Sequence, residues 1–471
     1  MITTGAGQIG TFSKNIVLPH GPSYPKVLIC SLSRINSHDT FNNSLLLRNL
    51  FAEWPREHLA QIYSGGSNGD EGFCDQQYQI GLHDRRFGRL FFKLKGEYAD
   101  ASLSAFSIEP VRDAAQRSSQ HALLKQRAGR YLMDSGLYEL IFKMRPSQRL
   151  LEWAEAFDPD IIMAQGYNLS FTLLPLLLKK RLKKPLAYYC SDDWPSYLYV
   201  SRDGLSALTA PLMCRIVNRS TNQLLAETDV PFSFNDMMGE EYERRYGKIF
   251  TTLMHCDDPE RFRLADPIRL HPPEIKSIIT TGVFDNLRWP LLLDLDEACQ
   301  RLNDMGIPMR ATVLTTRITE EGYLRVKSCR FVDLRDDPGH ELLPSYLKGA
   351  DLLYLPETFD PDIARSYRYS ISTKAHLFMF TQRPILVYGH PVNGLVNYAK
   401  REGWACVVDE RNIDLLKDSI RSLLLNEAER EEKIQVASNV VMRNNDCRKV
   451  RALLLSKMTL YCRKPSRKYT E

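Results

Sequence analysis

From residue 26 onward, short apolar segments rich in β-branched and aromatic residues alternate with longer amphipathic segments. This alternation is typical of parallel strands joined by crossover helices, and it predicts an α/β fold. A less regular region between about 66 and 150 is predicted to consist of helices and loops inserted in the first half. In that half the predicted strands cover residues 26–32, 160–166, 185–191, 222–228 and 250–255.

A segment rich in proline and mixed charges, residues 256–277, interrupts the pattern and predicts an interdomain linker. The same α/β rhythm then resumes, with predicted helices at 291–306, 340–350 and 393–403 and another that begins at Lys374. The predicted strands of this half are 277–283, 310–316, 330–336, 351–357, 384–389 and 404–410. We therefore expect two doubly wound Rossmann-like domains, 1–265 and 266–445, followed by a C-terminal helix and basic tail, 446–471.

Composition narrows the class of protein. The chain of 471 residues is 44% apolar and 25% charged, which suits two soluble domains. The net charge of +5 is small, and the basic residues are spread among acidic ones, so binding to nucleic acid is not expected. The ten cysteines form no CxxC pair and predict reduced thiols.

Targeting signals are not evident in the sequence. No basic start followed by an apolar core is present, and no apolar run approaches the roughly 18 residues of a spanning helix. We expect a cytoplasmic protein. The segment 169–186 ends in several basic residues, which leaves a peripheral contact with the inner face of a membrane as a minor alternative.

Residues 5–10, GAGQIG, match the GxGxxG dinucleotide fingerprint. The motif requires a strand before it and a helix after it, and neither pattern is present here. We interpret the match as a chance one, and a nicotinamide-dependent enzyme is the weakest hypothesis.

Polar residues follow several predicted strands, where ligands of parallel sheets bind. Residues 33–44 are rich in Ser, Asn and Asp, which would cap a helix or face a diphosphate. Asp192 and Asp193 precede Trp194 after another strand. Such a carboxylate pair could orient or deprotonate a sugar hydroxyl, and it could equally serve as a helix cap and turn.

The second half offers cationic candidates. Gly282 would permit close approach to the backbone after the first strand of this half, and Arg288 could neutralise a phosphate. The long loop 355–374 carries Glu357 and Arg368 and ends at Lys374, in the first turn of an apolar helix. A helix N-terminus is already electropositive, so a lysine there indicates either a solvated side chain or a site for an anion.

Several of these segments together resemble GT-B glycosyltransferases that use nucleotide sugars, a family widespread in surface-polysaccharide and glycolipid assembly. The resemblance spans most of residues 26–440. It implies two Rossmann-like domains facing each other across a cleft, with the acceptor on the first and the donor on the second. The segments that carry it are FDPDIIMAQG, KKPLAYYCSDDW, FSFNDMMGEEYERRYGKIFTTLMHCDDPERF, YLKGADLLYLPETF and STKAHLFMFTQRPILVYGHPVNGLVNYAKREGWACVVDE.

The resemblance implies a metal-independent enzyme with a nucleotide diphosphate sugar as donor substrate, no separate cofactor, and a glycan or glycolipid acceptor. Asp192 or Asp193 would contact the acceptor, while Arg288 and Lys374 would bind the diphosphate and Ser372 and Thr373 would cap the helix. The predicted donor-side residues are Gly282, Arg288, Glu357, Arg368, Ser372, Thr373 and Lys374.

Many retaining members of that family carry two glutamates at positions occupied here by Tyr369 and Leu377. Their absence leaves two alternatives open. One is a non-catalytic binding or partner subunit of the same fold, and the other is a sugar-nucleotide epimerase.

Overall fold

Two parallel β-sheets organise the chain, one in each half. The structure is a computed structural model that describes residues 24–35, 42–65, 73–87, 135–197, 206–285 and 287–462.

The first sheet has seven strands in the order β3-β2-β1-β4-β5-β6-β7, and every pair is parallel. Its central strands are buried along their whole length, which explains why they are continuous apolar runs in the sequence. The order reverses between β1 and β4. The strands are β1 Val27–Cys30, β2 Leu59–Tyr63, β3 Gln76–Gln79, β4 Ile161–Ala164, β5 Leu186–Cys190, β6 Val230–Ser233 and β7 Thr251–Thr252.

The second sheet has six strands in the order β10-β9-β8-β11-β12-β13, again all parallel. Here the order reverses between β8 and β11. The strands are β8 Lys276–Phe284, β9 Met309–Ile318, β10 Val332–Asp336, β11 Leu352–Pro356, β12 Ile385–Tyr388 and β13 Cys406–Val408. The predicted α/β class with two doubly wound domains is confirmed.

Helices connect the strands, and several begin at a polar residue whose side chain accepts a backbone N–H of the first turn, such as Ser147, Asn168 and Asn235. Those of the first half are α1 Asn42–Leu50, α2 Leu137–Ile141, α3 Gln148–Phe157, α4 Leu169–Leu182, α5 Trp194–Tyr197, α6 Ser206–Glu227, α7 Asp236–Tyr246 and α8 Pro259–Leu264. Those that follow are α9 Pro290–Asp304, α10 Glu320–Lys327, α11 Leu343–Lys348, α12 Pro361–Ser366, α13 Lys374–Phe380, α14 Gly394–Glu402, α15 Ile413–Leu425, α16 Glu427–Asn444 and α17 Cys447–Cys462.

The strand predicted at 222–228 is wrong, because these residues form the end of α6 and the next strand is β6. A short apolar run fits a buried helix face as well as a strand, and Leu224 and Leu225 are buried in this helix. The sequence pattern also missed β2, and β3 lies in a region predicted to hold only helices and loops. The remainder of that region, 88–134, and the GAGQIG segment lie outside the described residues.

The last helix returns to the first domain. Val450, Leu454 and Met458 of α17 are buried in the same apolar cluster as β1 and α1. The guanidinium Nε of Arg451 donates to the Asn49 carbonyl at 2.7 Å. The chain therefore crosses between the domains once near α8 and again between α16 and α17.

No helix in the described part of the chain is both long and apolar enough to cross a membrane. The basic end of α4 is largely neutralised: Lys179 pairs with Asp229 at 2.8 Å and Arg181 pairs with Glu155 at 2.6 Å. The peripheral membrane contact suggested for this segment stays a prediction.

Candidate functional site

The carboxyl ends of the two sheets meet at the contact between the domains. Asp192 follows β5, and its Oδ1 accepts a hydrogen bond of 2.8 Å from the hydroxyl of Ser370, in the loop between α12 and α13. The amide of Asn235, after β6, donates to the Tyr369 carbonyl at 2.7 Å. Because ligands of parallel α/β sheets bind beyond the carboxyl ends of the strands, this junction is the candidate site.

Lys374 begins α13 and lies across Gly282 of β8. A β-carbon built on Gly282 would be 2.0 Å from Lys374 Cε and 2.1 Å from Nζ, so any side chain there would displace the lysine. Gly282 also has φ +127°, a conformation that favours glycine, and a β-bulge lies at this point of the ladder with β9. The close approach predicted at Gly282 exists, and the group that approaches is Lys374.

The ammonium group of Lys374 makes no hydrogen bond or ion pair with any described residue, although its side chain is largely buried. Loss of hydration and the positive charge of Arg288 lower the pKa of Lys374 to about 8, while Glu357 and Asp285 act in the opposite direction. A bound anion would raise this pKa again and stabilise the charged form, so the lysine is positioned to respond to one.

Arg288 is held by Glu357 at the end of β11. Its Nη2 donates to Glu357 Oε2 at 3.0 Å, and its Nε lies 3.3 Å from the same oxygen. The carboxylate is buried and raises the pKa of Arg288 above its usual range. Glu357, predicted on the donor side, thus reaches the site through Arg288 and fixes that cation beside Lys374.

The capping role predicted for Thr373 is wrong. Thr373 occupies the N-cap position of α13 in helical conformation, and its side chain makes no capping hydrogen bond. Ser372 contributes its carbonyl oxygen, which accepts from Ala375 N at 3.0 Å. Arg368 lies on the same loop with its guanidinium 4.8 Å from the centre of the Tyr369 ring, and its donor-binding role stays a prediction.

The two aspartates have different surroundings. Asp193 is buried, accepts from Tyr242 at 3.0 Å and forms a bidentate pair with Arg245 at 2.9 and 3.1 Å. Asp192 is only partly buried and contacts Ser370 across the domain junction. Both aspartates are candidates on sequence, and this geometry favours Asp192 as the carboxylate that could meet a substrate.

Two residues near the candidate site, Tyr367 and Arg245, were not predicted from the sequence. Partial burial raises the pKa of Tyr367, and the charges of Arg288 and Asp192 act on it in opposite directions. Arg245 is 52 residues from the carboxylate it pairs with, and nothing in the spacing of α7 singles it out.

Solved structures of other proteins share this two-sheet architecture. A sucrose-phosphate synthase from Thermosynechococcus elongatus superposes with a TM-score of 0.55 at 12% identity, over 92% of this chain and 98% of that one. The Anabaena protein HepE in complex with UDP and glucose gives 0.53 at 10% identity, over 93% and 100%. These chains match along nearly their full lengths, and their two-sheet layout is the one described above. The chain has the GT-B fold.

A trehalose 6-phosphate synthase from Burkholderia multivorans is similar to the same extent, with a TM-score of 0.55 at 10% identity over 93% of this chain and 99% of that one. No protein-family model matches the sequence, and no curated protein does. At these identities the likeness establishes the GT-B fold and leaves the activity to be argued from the site.

The two positions that correspond to the glutamate pair of many retaining GT-B glycosyltransferases hold residues with other surroundings here. Leu377 packs against the apolar core. Tyr369 has the guanidinium of Arg245 at 5.7 Å and that of Arg368 at 4.8 Å from its ring centre. Within the described ranges no three His, Cys, Asp or Glu side chains converge to hold a metal ion, and metal independence stays a prediction.

Proposed function

We propose that this protein is a glycosyltransferase that binds a nucleotide diphosphate sugar at Lys374 and Arg288 and transfers the sugar to a glycan or lipid-linked acceptor held by the first domain. The observation that carries the proposal is the placement of Lys374 across Gly282, beside Arg288, at the carboxyl end of β8. The GT-B fold and the UDP and UDP-glucose complexes of HepE support a nucleotide-sugar donor.

The charge distribution suits a departing diphosphate. In the proposed transfer the bond between the sugar anomeric carbon and the diphosphate oxygen breaks, and the diphosphate keeps the electron pair. The acceptor oxygen bonds to the anomeric carbon and loses its proton. Lys374 and Arg288 would stabilise the leaving group, because fixed positive groups in a partly dehydrated site interact strongly with developing negative charge.

Asp192 is the candidate group for the acceptor proton. It lies on the first domain and contacts Ser370, four residues before Lys374 in the sequence, across the domain junction. Asp193 is less suited to this role, because both of its oxygens already accept hydrogen bonds. Oδ1 accepts from Tyr242 and Arg245, and Oδ2 accepts from Arg245.

Calorimetric titration with UDP, GDP and ADP tests the donor site. For the nucleotide that binds, Lys374→Met is expected to weaken affinity by roughly 10- to 100-fold, the magnitude of one charge-assisted hydrogen bond. Arg288→Met should weaken it as well. Lys400→Met is the control, because this lysine pairs with Asp409 on the surface of the same domain. Equal affinity in wild type and Lys374→Met would refute the diphosphate site.

A second candidate is a non-catalytic binding subunit of the same fold, and the replacement of the glutamate pair by Tyr369 and core-packed Leu377 favours it. Both candidates bind the nucleotide, so turnover separates them. Release of UDP from UDP-sugars measures turnover. If the protein is a transferase, Asp192→Asn should lower this release by at least tenfold relative to wild type. No release in wild type with any donor in the panel would favour the binding subunit.

A further inference from the structure

The loop that leads to Lys374 is attached to the first domain through a buried side chain. Asn235 follows β6 and is 2% exposed, and its Nδ2 donates to the Tyr369 carbonyl at 2.7 Å. The two residues are 134 positions apart in the sequence and belong to different domains. Because a buried amide gives up its hydration to make this bond, the contact is costly to break and fixes where the loop meets the first domain.

The same side chain also begins a helix. The Oδ1 of Asn235 accepts from Met238 N at 2.9 Å, so the residue is the N-cap of α7. Its two partners require different atoms, since Met238 N is a donor and the Tyr369 carbonyl is an acceptor. Among the residues that cap helices well, asparagine offers a donor and an acceptor on separate atoms of one plane. The helix therefore orients the amide, and Nδ2 is presented to the loop in a preset direction.

On its other side the loop is attached to the second domain by a tight turn. Ser370 N and Gly394 N both donate to the Tyr367 carbonyl at 3.0 Å. Gly394, at the start of α14, has no room for a side chain, because a β-carbon there would lie 2.5 Å from the Ser370 carbonyl oxygen and 2.8 Å from that of Arg368. The turn is thus packed on α14 through backbone atoms, and this attachment does not depend on Asn235.

The turn lies between the two groups of the proposed site. The Ser370 hydroxyl donates to Asp192 of the first domain at 2.8 Å, and Lys374 begins α13 shortly after the turn. We propose that Asn235 is a positioning residue, which holds the Tyr369 carbonyl and thereby aligns Asp192 on one domain with Lys374 on the other. Its effect on turnover rests on the proposed function, whereas the attachment of the loop does not.

This role separates turnover from nucleotide binding. Lys374, Arg288 and Gly282 all belong to the second domain, and none of them contacts Asn235. Loss of the Asn235 contact should therefore leave UDP affinity within about twofold of wild type, as expected for sites that share no partner. Transfer requires groups from both domains, and a displacement of about 1 Å at a reacting group lowers turnover by up to roughly 100-fold.

Asn235→Ser and Asn235→Asp test this inference, because serine and aspartate cap helices about as well as asparagine but lack the amide donor. Asn168→Ser and Asn168→Asp are the matched controls. Asn168 is 4% exposed and caps α4, with its Oδ1 accepting from Phe171 N at 2.8 Å. Its amide nitrogen makes no hydrogen bond within the described part of the chain, so these variants change a buried cap and leave the contact between the domains intact.

Hydrogen–deuterium exchange of the full-length protein measures the attachment directly. Backbone amides of residues 367–373 should exchange several-fold faster in both Asn235 variants and at the wild-type rate in both Asn168 variants. Release of UDP from UDP-sugars should fall by at least tenfold in the Asn235 variants. Calorimetric affinity for UDP should be retained in all four proteins.

The inference is overturned if exchange of residues 367–373 stays at the wild-type rate in the Asn235 variants, or if their turnover is unchanged. An equal loss of turnover in the Asn168 variants, or a parallel loss of UDP affinity in the Asn235 variants, would also overturn it, because the contact would then serve stability alone. If wild type releases no UDP, the proposed transfer fails and this role fails with it. Exchange of the loop distinguishes that outcome from a missing contact, and Lys374→Met reports on the diphosphate site separately.

Discussion

Two clusters of charged side chains lie on either side of the domain junction, and they differ in how their charges are compensated. On the first domain, Asp193 has Arg245 and Tyr242 as hydrogen-bond partners, and Arg245 is also paired with Glu241. On the second domain, Arg288 has Glu357, but Lys374 has no partner in the described part of the chain and a pKa lowered to about 8.

The difference indicates a structural cluster on the first domain and, under the proposed function, a binding cluster on the second. In the first cluster every buried charge is balanced by others, so removal of one member would leave another buried charge only partly compensated. In the second cluster the fold tolerates a lysine whose charged form would be more stable in water, and a bound anion would recover this cost. The predictions below test this contrast, from the largest expected effect to the smallest.

Asp193→Asn should lower the free energy of unfolding by about 3 kcal/mol, because Arg245 would lose the more buried of its two carboxylate partners and keep only Glu241. Urea unfolding measures this, and Asp192→Asn is the control, with an expected change below about 1 kcal/mol for a partly exposed carboxylate. If Asp192→Asn lowered the free energy of unfolding more than Asp193→Asn does, the structural role would belong to Asp192 instead.

Lys374→Met should leave stability unchanged or increase it by roughly 1–2 kcal/mol at pH 7, because the methionine keeps the apolar stem and removes a poorly hydrated charge. The direction is opposite to that of Asp193→Asn. The folded-state pKa is below the ordinary value of 10.5, so the unfolded chain binds the extra proton between about pH 8 and 10.5 and wild-type stability should rise with pH there. The variant should lack this rise, and a marked destabilisation of Lys374→Met would show the lysine to be structural.

UDP binding should depend on pH through the same lysine. A bound diphosphate favours the charged form, so above pH 8 the protein must take up a proton on binding, and affinity should fall by up to about tenfold per pH unit. Calorimetry in two buffers with different ionisation enthalpies measures the proton uptake. Lys374→Met should show none, and identical proton uptake in the two proteins would remove Lys374 from the site.

The smallest effect is expected at two buried histidines that stack on each other. His255 and His376 stack with ring centres 5.7 Å apart, and burial lowers the pKa of His255 to about 3. Since the unfolded histidine binds a proton below its ordinary value of 6.5, stability should be lost as pH falls from about 6.5 towards 3. His255→Phe should reduce this acid sensitivity, as measured by melting temperature between pH 7 and 5. An unchanged pH dependence would assign the acid sensitivity to other groups.

The strands of the second half could be predicted because they are buried on both faces and end at glycine, proline or polar residues, so their pattern is strong. The strand predicted at 222–228 failed for the converse reason. Its apolar residues are equally compatible with the buried face of a long helix, and only the packing of α6 on α4 distinguishes the two.

The sequence by itself determined the α/β class with two doubly wound domains and the presence of Lys374 at the start of a helix. Tertiary structure alone decided that Lys374 crosses Gly282, that Glu357 holds Arg288 over a separation of 69 residues, and that Asp193 pairs with Arg245. Local propensity and hydrophobic periodicity act over a few residues, and they specify strands and helices. Charge compensation is a property of side chains brought together from distant strand ends, and it exists only once both sheets have formed.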